Sequence, residues 1–256
     1  MSLAVDLTGR VALVTGGTRG IGLGITRSLL AAGASVVTCS RSDVEPVPGT
    51  THRACDVRDA DAVQALVASV AESHGRLDVL VNNAGGAPAS DAATASPRFH
   101  EKIVGLNLLA PLVCAQAANA VMQQQDAGGV IVNISSVSAN RPAPTIAAYG
   151  AAKAGLDSLT ASLAMEWAPK VRVNAIDVGL CRTEQTGDHY GDDVSVAAIE
   201  QTIPLGRMAD PIEVGNVAAF LASDLASYVS GASLACHGGG EPPAFLVVSN
   251  IVSKGP

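Results

Sequence analysis

Aromatic side chains are nearly missing from this chain: three Phe, three Tyr and one Trp among 256 residues, 3% in all. A core of this size must then be filled by Ala, Val, Leu and Ile, which suit helices packed closely on a buried parallel sheet. Charge is scarce too, at 15% of residues, and the net charge of −7 argues against non-specific binding to nucleic acid or to an anionic membrane. No uninterrupted apolar run approaches the ~18 residues of a membrane span. The start, Met1-Ser-Leu-Ala-Val-Asp6, lacks the basic and long apolar stretches of a signal peptide, so a cytoplasmic protein is expected. The cysteines, at 39, 55, 114, 181 and 236, are odd in number and lack metal-ligand spacing. Neither a disulfide framework nor a metal site is therefore expected. Repeats and linkers are also lacking, and residues 1–256 read as one domain.

What is present alternates. Val11-Ala-Leu-Val-Thr15 is a short apolar run ending at glycine, as a buried strand does. Gly16-Gly17-Thr18-Arg19-Gly20-Ile21-Gly22 follows, then a helix pattern from Leu23 to Ala32 closed by Gly33, then a strand at Ser35–Ser40. Glycines placed between a strand and a helix let the backbone approach a pyrophosphate, which sits on the positive end of that helix. The spacing is GxxxGxG rather than GxGxxG, but the physics is shared. Between Arg41 and a third strand near His52–Cys55 there is room only for a loop or a single turn. Further helices are predicted over 59–73, 98–124, up to about 168 and 211–222, with strands at 79–82, 130–134, 171–176 and 230–235. Residues 180–206 are a long polar insertion, read as a lid over the substrate.

This alternation predicts an α/β fold with a doubly wound parallel sheet of about seven strands. Ligands bind beyond the carboxyl ends of such strands. The Gly-rich turn, Asp56, Asn83, Ser136 and the segment around Gly179 all fall there. So does Tyr149-Gly-Ala-Ala-Lys153, whose Tyr149 and Lys153 share one helix face at i,i+4. A fixed cation beside a phenol favours the phenolate, and a neighbouring hydroxyl can hold the oxygen that gains or loses the proton. Of the two hydroxyls ending the fifth strand, Ser135 and Ser136, only one should face a substrate, since successive side chains point to opposite sides.

Taken together, Thr15-Gly-Gly-Thr-Arg-Gly-Ile-Gly22, Asp56-Val57, Asn82-Asn-Ala-Gly85, Asn107, Ser136, Tyr149-x-x-x-Lys153 and Thr183 resemble the short-chain dehydrogenase/reductase family in order and spacing, over about residues 8–240. The resemblance implies a Rossmann-type fold, a nicotinamide cofactor, a small carbonyl or alcohol substrate and a homotetramer or homodimer. It makes Tyr149 the general acid/base, Lys153 the pKa-lowering cation and a ribose ligand, and Ser136 the group that polarises the substrate oxygen. Asn107 would hold a water-mediated relay behind Lys153. The implied cofactor-binding set is Gly16, Thr18, Arg19, Gly20, Ile21, Gly22, Ser40, Arg41, Asp56, Val57, Asn83, Ala84, Gly85, Tyr149, Lys153, Gly179, Cys181 and Thr183, with Thr183 on the nicotinamide carboxamide. A non-redox lyase or epimerase on the same scaffold, or a cofactor-sensing binding protein, are the alternative functions.

A carboxylate ending the second strand would select NAD(H) by accepting from the ribose 2′-hydroxyl. Ser40 stands there instead, followed by Arg41, with Arg19 able to approach the same phosphate. Two guanidiniums and a hydroxyl suit a 2′-phosphate, so NADP(H) is expected, with NAD(H) the alternative through Asp43. Val194, Val196, Ile199 and Ile203 of the lid are available for an apolar wall, permitting a hydrophobic ketone, a steroid fragment or a 3-oxoacyl thioester. Two departures from the family stand out. Asp177-Val178-Gly179 replaces a Pro-Gly step, leaving the backbone there less restrained. His237 replaces an acid and reads as a surface or satisfied histidine. The tail 241–256, with Phe245-Leu-Val-Val248, is expected at a subunit interface or near a neighbour's site.

Overall fold

In the computed structural model, which describes residues 4–243, strand β1 (Val11–Thr15) leads through a glycine turn into helix α1 (Gly20–Ala31) and back to β2 (Ser35–Ser40). After β2 the chain reaches β3 (Thr50–Ala54) through a helix-free loop, as its length demands. Then come α2 (Ala60–His74), β4 (Val79–Asn82), α3 (Pro97–Val104), α4 (Ala110–Met122), β5 (Gly129–Ser136) and α5 (Ala147–Glu166). The final third is β6 (Val171–Val178), α6 (Thr186–Tyr190), α7 (Asp193–Glu200), α8 (Pro211–Ala222) and β7 (Ser233–Cys236). Helix ends follow their sequence signals: Asp59 accepts from the Asp61 and Ala62 amides to start α2, and Asp210 with Glu213 forms a capping box on α8 behind Pro211.

Among the described residues the seven strands are all parallel, in the order β3-β2-β1-β4-β5-β6-β7. The order reverses between β1 and β4, which opens a crevice at their carboxyl ends. Alternate residues of β1 serve opposite faces. Val11 and Leu13 pack with Val63, Val67 and Cys114 of α2 and α4, whereas Ala12 and Val14 pack with Ile25, Leu29 and Val214 of α1 and α8. Each fully buried Leu or Ile here contributes roughly 1.5–3 kcal/mol relative to exposure.

The predicted long helix over 98–124 is one helical run interrupted by a π-helical turn, Gly105–Leu109. By length and composition this run, Pro97–Met122, would pass as a membrane span. Its Ala110, Cys114, Ala115, Ala118 and Met122 instead pack into the core. β5 and β6 both run two residues further than the pattern predicts, because Ser135 pairs with Asp177 and Ser136 with Val178. Val178, unlike proline, carries the amide a ladder needs, and it also pairs with Cys236 of β7. The Gly179 amide then donates to the Cys236 carbonyl at 3.0 Å. The expected slackness at this step is therefore corrected: pairing on both sides holds it.

The segment between β6 and α8 is closed at its base. Cys181 bridges to Ala209, the Arg182 amide donates to the Ala209 carbonyl at 2.8 Å, and the Ala209 amide donates to the Leu180 carbonyl at 2.9 Å. Val196, Ile203 and Met208 are buried together against Leu180, Tyr190 and Ile199. This corrects the apolar-wall reading. Val196 and Ile203 hold the insertion together, and Val194 is the exposed one, at 78%. The stretch Phe245–Val248 lies outside the described residues.

Candidate active site

Ser136 is the last residue of β5, at the carboxyl edge of the sheet, and Tyr149 lies in the first turn of α5. The Ser136 hydroxyl is close enough to the Tyr149 phenol to favour its ionised form. The Ser138 amide donates to Ser136 Oγ at 3.1 Å, which leaves the hydroxyl hydrogen free to point away. Ser135 turns the other way and donates to the Lys153 carbonyl at 3.4 Å. One strand end thus sorts the two hydroxyls, as alternation requires.

Lys153 is buried, and its Nζ lies 5.5 Å from the centre of the Tyr149 ring while donating to the Ile134 carbonyl at 2.7 Å. Burial pulls its ammonium down to about 8, so it stays largely protonated at neutral pH. Tyr149 departs from expectation. Burial pushes its phenol up, the Ser136 hydrogen bond pulling the other way and Tyr190 adding to the rise. The expected lowering by Lys153 is overridden here because desolvation acts on the phenolate directly, while the ammonium is turned to a carbonyl.

Asn107 is wholly buried in the π-helical turn, where a widened helix lets its amide reach both ways. Nδ2 donates to the carbonyls of Ile103 (2.9 Å) and Gly86 (3.0 Å), and Oδ1 accepts from the Gly86 amide at 2.8 Å. Gly85 fits between Asn107 and Lys153. A Cβ there would fall 2.7 Å from Asn107 Oδ1 and 3.6 Å from Lys153 Nζ. Asn83 donates to the carbonyls of Thr15 and Gly16 at 2.9 and 3.1 Å, and Thr15 Oγ1 accepts from the Asn83 and Ala84 amides. The ends of β1 and β4 are thereby stitched at the crevice.

The glycine turn fits a pyrophosphate. Gly16 and Gly20 have φ of +64° and +51°, and a Cβ on Gly22 would meet the Gly16 carbonyl oxygen at 2.1 Å. An anion already sits at the amino end of α1: the Gly20 amide donates to the Glu184 carboxylate at 3.2 Å. A cavity of about 100 Å³ opens beside it, lined by Gly20, Gly24, Arg27, Glu184, Asp210 and Pro211. Thr18 and Ile21 flank this turn. Thr183 is adjacent, its methyl 3.5 Å from where a Gly20 Cβ would stand.

Around the ribose end, Arg19 and Arg41 are exposed and form no ion pair among the described residues. Ser40 Oγ donates to the Ser42 carbonyl at 2.8 Å and touches His52 Nε2 at 3.2 Å, so its oxygen remains an acceptor. Asp56 is engaged by Arg58, whose hydrogen bonds hold its carboxyl down at about 2. Val57 faces the core, and Cys181 is buried at the foot of the insertion, so neither presents a side chain to a ligand. Gly179 abuts His237, which a Cβ would approach to 2.7 Å. His237 is half-buried and its Nδ1 meets no partner among the described residues, a correction to the surface or satisfied reading. Tyr190, brought near Tyr149 by α6, was not signalled by any motif. A separate concavity of about 340 Å³ lies against α3 and α4, lined by Arg58, Arg98, Lys102 and Leu109, away from Tyr149.

A family model described as enoyl-(acyl carrier protein) reductase matches residues 16–241. The chain belongs to the short-chain dehydrogenase/reductase family. Dehydrogenases of this family use NAD(H) or NADP(H). The chain is 36% identical over 245 residues to a 3alpha-hydroxysteroid dehydrogenase of Mediterraneibacter gnavus, covering 91% of this chain and 97% of the relative. It is 37% identical to a D-threitol dehydrogenase of Mycolicibacterium smegmatis, covering 93% and 96%. The ligand-free aldohexose dehydrogenase of Thermoplasma acidophilum superposes with a TM-score of 0.87 at 29% identity, over 98% of both chains. As a short-chain dehydrogenase/reductase with relatives of these kinds, it is an oxidoreductase acting on CH–OH groups.

Proposed function

We propose that the chain interconverts a ketone and a secondary alcohol, with Tyr149 as general acid/base and NADP(H) as the favoured partner. The observation that carries this reading is the Ser136 hydroxyl close to the Tyr149 phenol, with Lys153 Nζ 5.5 Å from the same ring. In reduction Tyr149 gives its proton to the carbonyl oxygen, and the outward Ser136 hydroxyl donates to that oxygen as charge develops. Lys153, charged below about 8, stabilises the phenolate left behind. In oxidation the same phenolate takes the hydroxyl proton. When bound, the nicotinamide supplies or accepts the hydride. The turn Gly16, Thr18, Gly20, Ile21 and Gly22 would hold its pyrophosphate, with Asn83, Ala84 and Gly85 beside it and Gly179 and Thr183 nearer the ring. Arg19, Arg41 and the Ser40 oxygen would hold a 2′-phosphate.

Two relatives bear the names of a hydroxysteroid and a polyol dehydrogenase, so a neutral secondary alcohol of either shape is the substrate class to test first. Residues 180–206 act as the lid. Exposed Leu109 and Met165 fit burial in a homotetramer working in the reducing cytoplasm, where the five free thiols stay reduced. The test is a titration with NADPH and NADH, followed by nicotinamide absorbance with hydroxysteroids, polyols and their ketones. Turnover that falls about 10²–10⁴-fold in Tyr149→Phe, with cofactor binding kept, supports the reading. Tight binding without any turnover favours a sensor.

A further inference from the structure

One turn beyond Lys153 on α5, Asp157 meets Asp177 of β6. The Asp177 charge and the Ser135 hydroxyl both act on its carboxyl, and Ser135 pairs with Asp177 in the β5–β6 ladder. Asp177 is buried, and its Oδ2 accepts from Asn140 Nδ2 at 2.7 Å. In both acids Oδ1 is buried and accepts from no donor among the described residues.

The charged groups facing Asp157 are Asp177 from β6 and Lys153 from its own helix. β5 contributes only the Ser135 hydroxyl, the turn after it the Asn140 amide, and β7 the uncharged Ala235 beside Asp177. Lys153 Nζ donates to a carbonyl and pairs with no carboxylate directly among the described residues. Its electrostatic support comes from Asp157, four residues on along the same face.

We propose that Asp157, half-buried and seated against Asp177, is the counter-charge of Lys153, a positioning residue that sets the upper pH limit of the Tyr149 chemistry. The inference rests on the acid/base reading above. Burial, with the Asp177 charge beside it, pushes the Asp157 carboxyl up to about 6. Burial pulls Lys153 down to about 8 against the support of Asp157. Between these limits Asp157 is anionic and Lys153 cationic. An anion favours the charged lysine, so its removal makes Lys153 lose its proton at lower pH.

The test uses the full chain and its Asp157→Asn and Asp177→Asn variants. NMR of ¹³C-labelled Asp Cγ is expected to show one carboxyl titrating near pH 6, absent in Asp157→Asn and returned toward the ordinary range in Asp177→Asn. Labelled Lys Cε, assigned with Lys153→Arg, is expected to show Lys153 titrating lower in Asp157→Asn. With an alcohol that turns over, the alkaline limb of kcat/KM moves down in Asp157→Asn by about one pH unit, roughly a tenfold loss beyond the limb. In Asp177→Asn the limb stays in place. An unmoved Lys153 titration in Asp157→Asn overturns the proposal, as does an Asp157 carboxyl in the ordinary range. These signals need no turnover, so an absence of activity would strike the acid/base reading alone.

Discussion

The Gly20 amide and the Glu184 carboxylate meet at 3.2 Å across 164 residues, placing an acid from the insertion on the positive end of α1. A pyrophosphate would use the same end of that helix. Glu184→Gln removes a competing anion at no cost in shape. A charge at a helix terminus is worth about 0.3–1 kcal/mol, so the dissociation constant for NADPH should fall about two- to fivefold. Fluorescence titration of the bound dinucleotide measures this, and an unchanged constant would show that the carboxylate moves aside freely.

Arg41 forms no ion pair among the described residues, and Arg19 forms none beside it. Arg41→Ala should therefore weaken NADPH while sparing NADH. Loss of one charge-assisted contact of about 1.5–3 kcal/mol corresponds to roughly 10- to 150-fold. Equal efficiency of this variant with NADPH and the parent protein would overturn the cofactor preference.

All five cysteines are free, and burial raises each thiol, Cys39 and Cys181 to about 12. The thiolate is the reactive form, so at pH 8 the folded protein should react slowly with an aromatic disulfide reagent. All five thiols should react promptly once the chain is unfolded in guanidinium. A fast thiol in the native state would mark a local opening, with Cys236 the most exposed of the five.

Thr145, on the approach to α5, has φ of +65°, a left-handed conformation that a β-branched side chain resists. Its carbonyl accepts from the Ser90 amide at 2.8 Å, which holds the strained turn in place. Thr145→Asn keeps the backbone and relieves the side chain, so stability should rise by about 1 kcal/mol. For a chain of this size that is about 2–4 °C in Tm. A lower Tm would mean that the Thr145 side chain contributes something the backbone conformation does not reveal.

Much of this was legible in the sequence because it depends on spacing. Ser136, Tyr149 and Lys153 are separated by a strand end, a turn and one helical turn, and local geometry alone brings them together. The parallel sheet follows from alternation, and the helix-free loop after Ser40 from its length. Other features depend on contacts between distant segments. Val196 and Ile203 looked free to line a wall until Met208 and Leu180 were seen packed against them. The raised Tyr149 phenol comes from burial, which competes with a nearby cation in a way that residue types cannot rank. Tyr190 and the pairing of Asp157 with Asp177 were hidden for the same reason: no local pattern ties α6 to α5, or α5 to β6.

The stitched feet of the insertion, Cys181 against Ala209, make it an interchangeable cassette. Everything between Arg182 and Met208 leaves and rejoins the body at one spot. Loop-closure cost grows only by about 0.6 kcal/mol per doubling of length, so the cassette can lengthen or shrink with little strain on the sheet. Exchanging it with that of a relative should redirect which alcohol is accepted, and because Thr183, Glu184 and Tyr190 travel with it, dinucleotide affinity should shift as well. Evolution would then have a single short stretch on which to write new substrates.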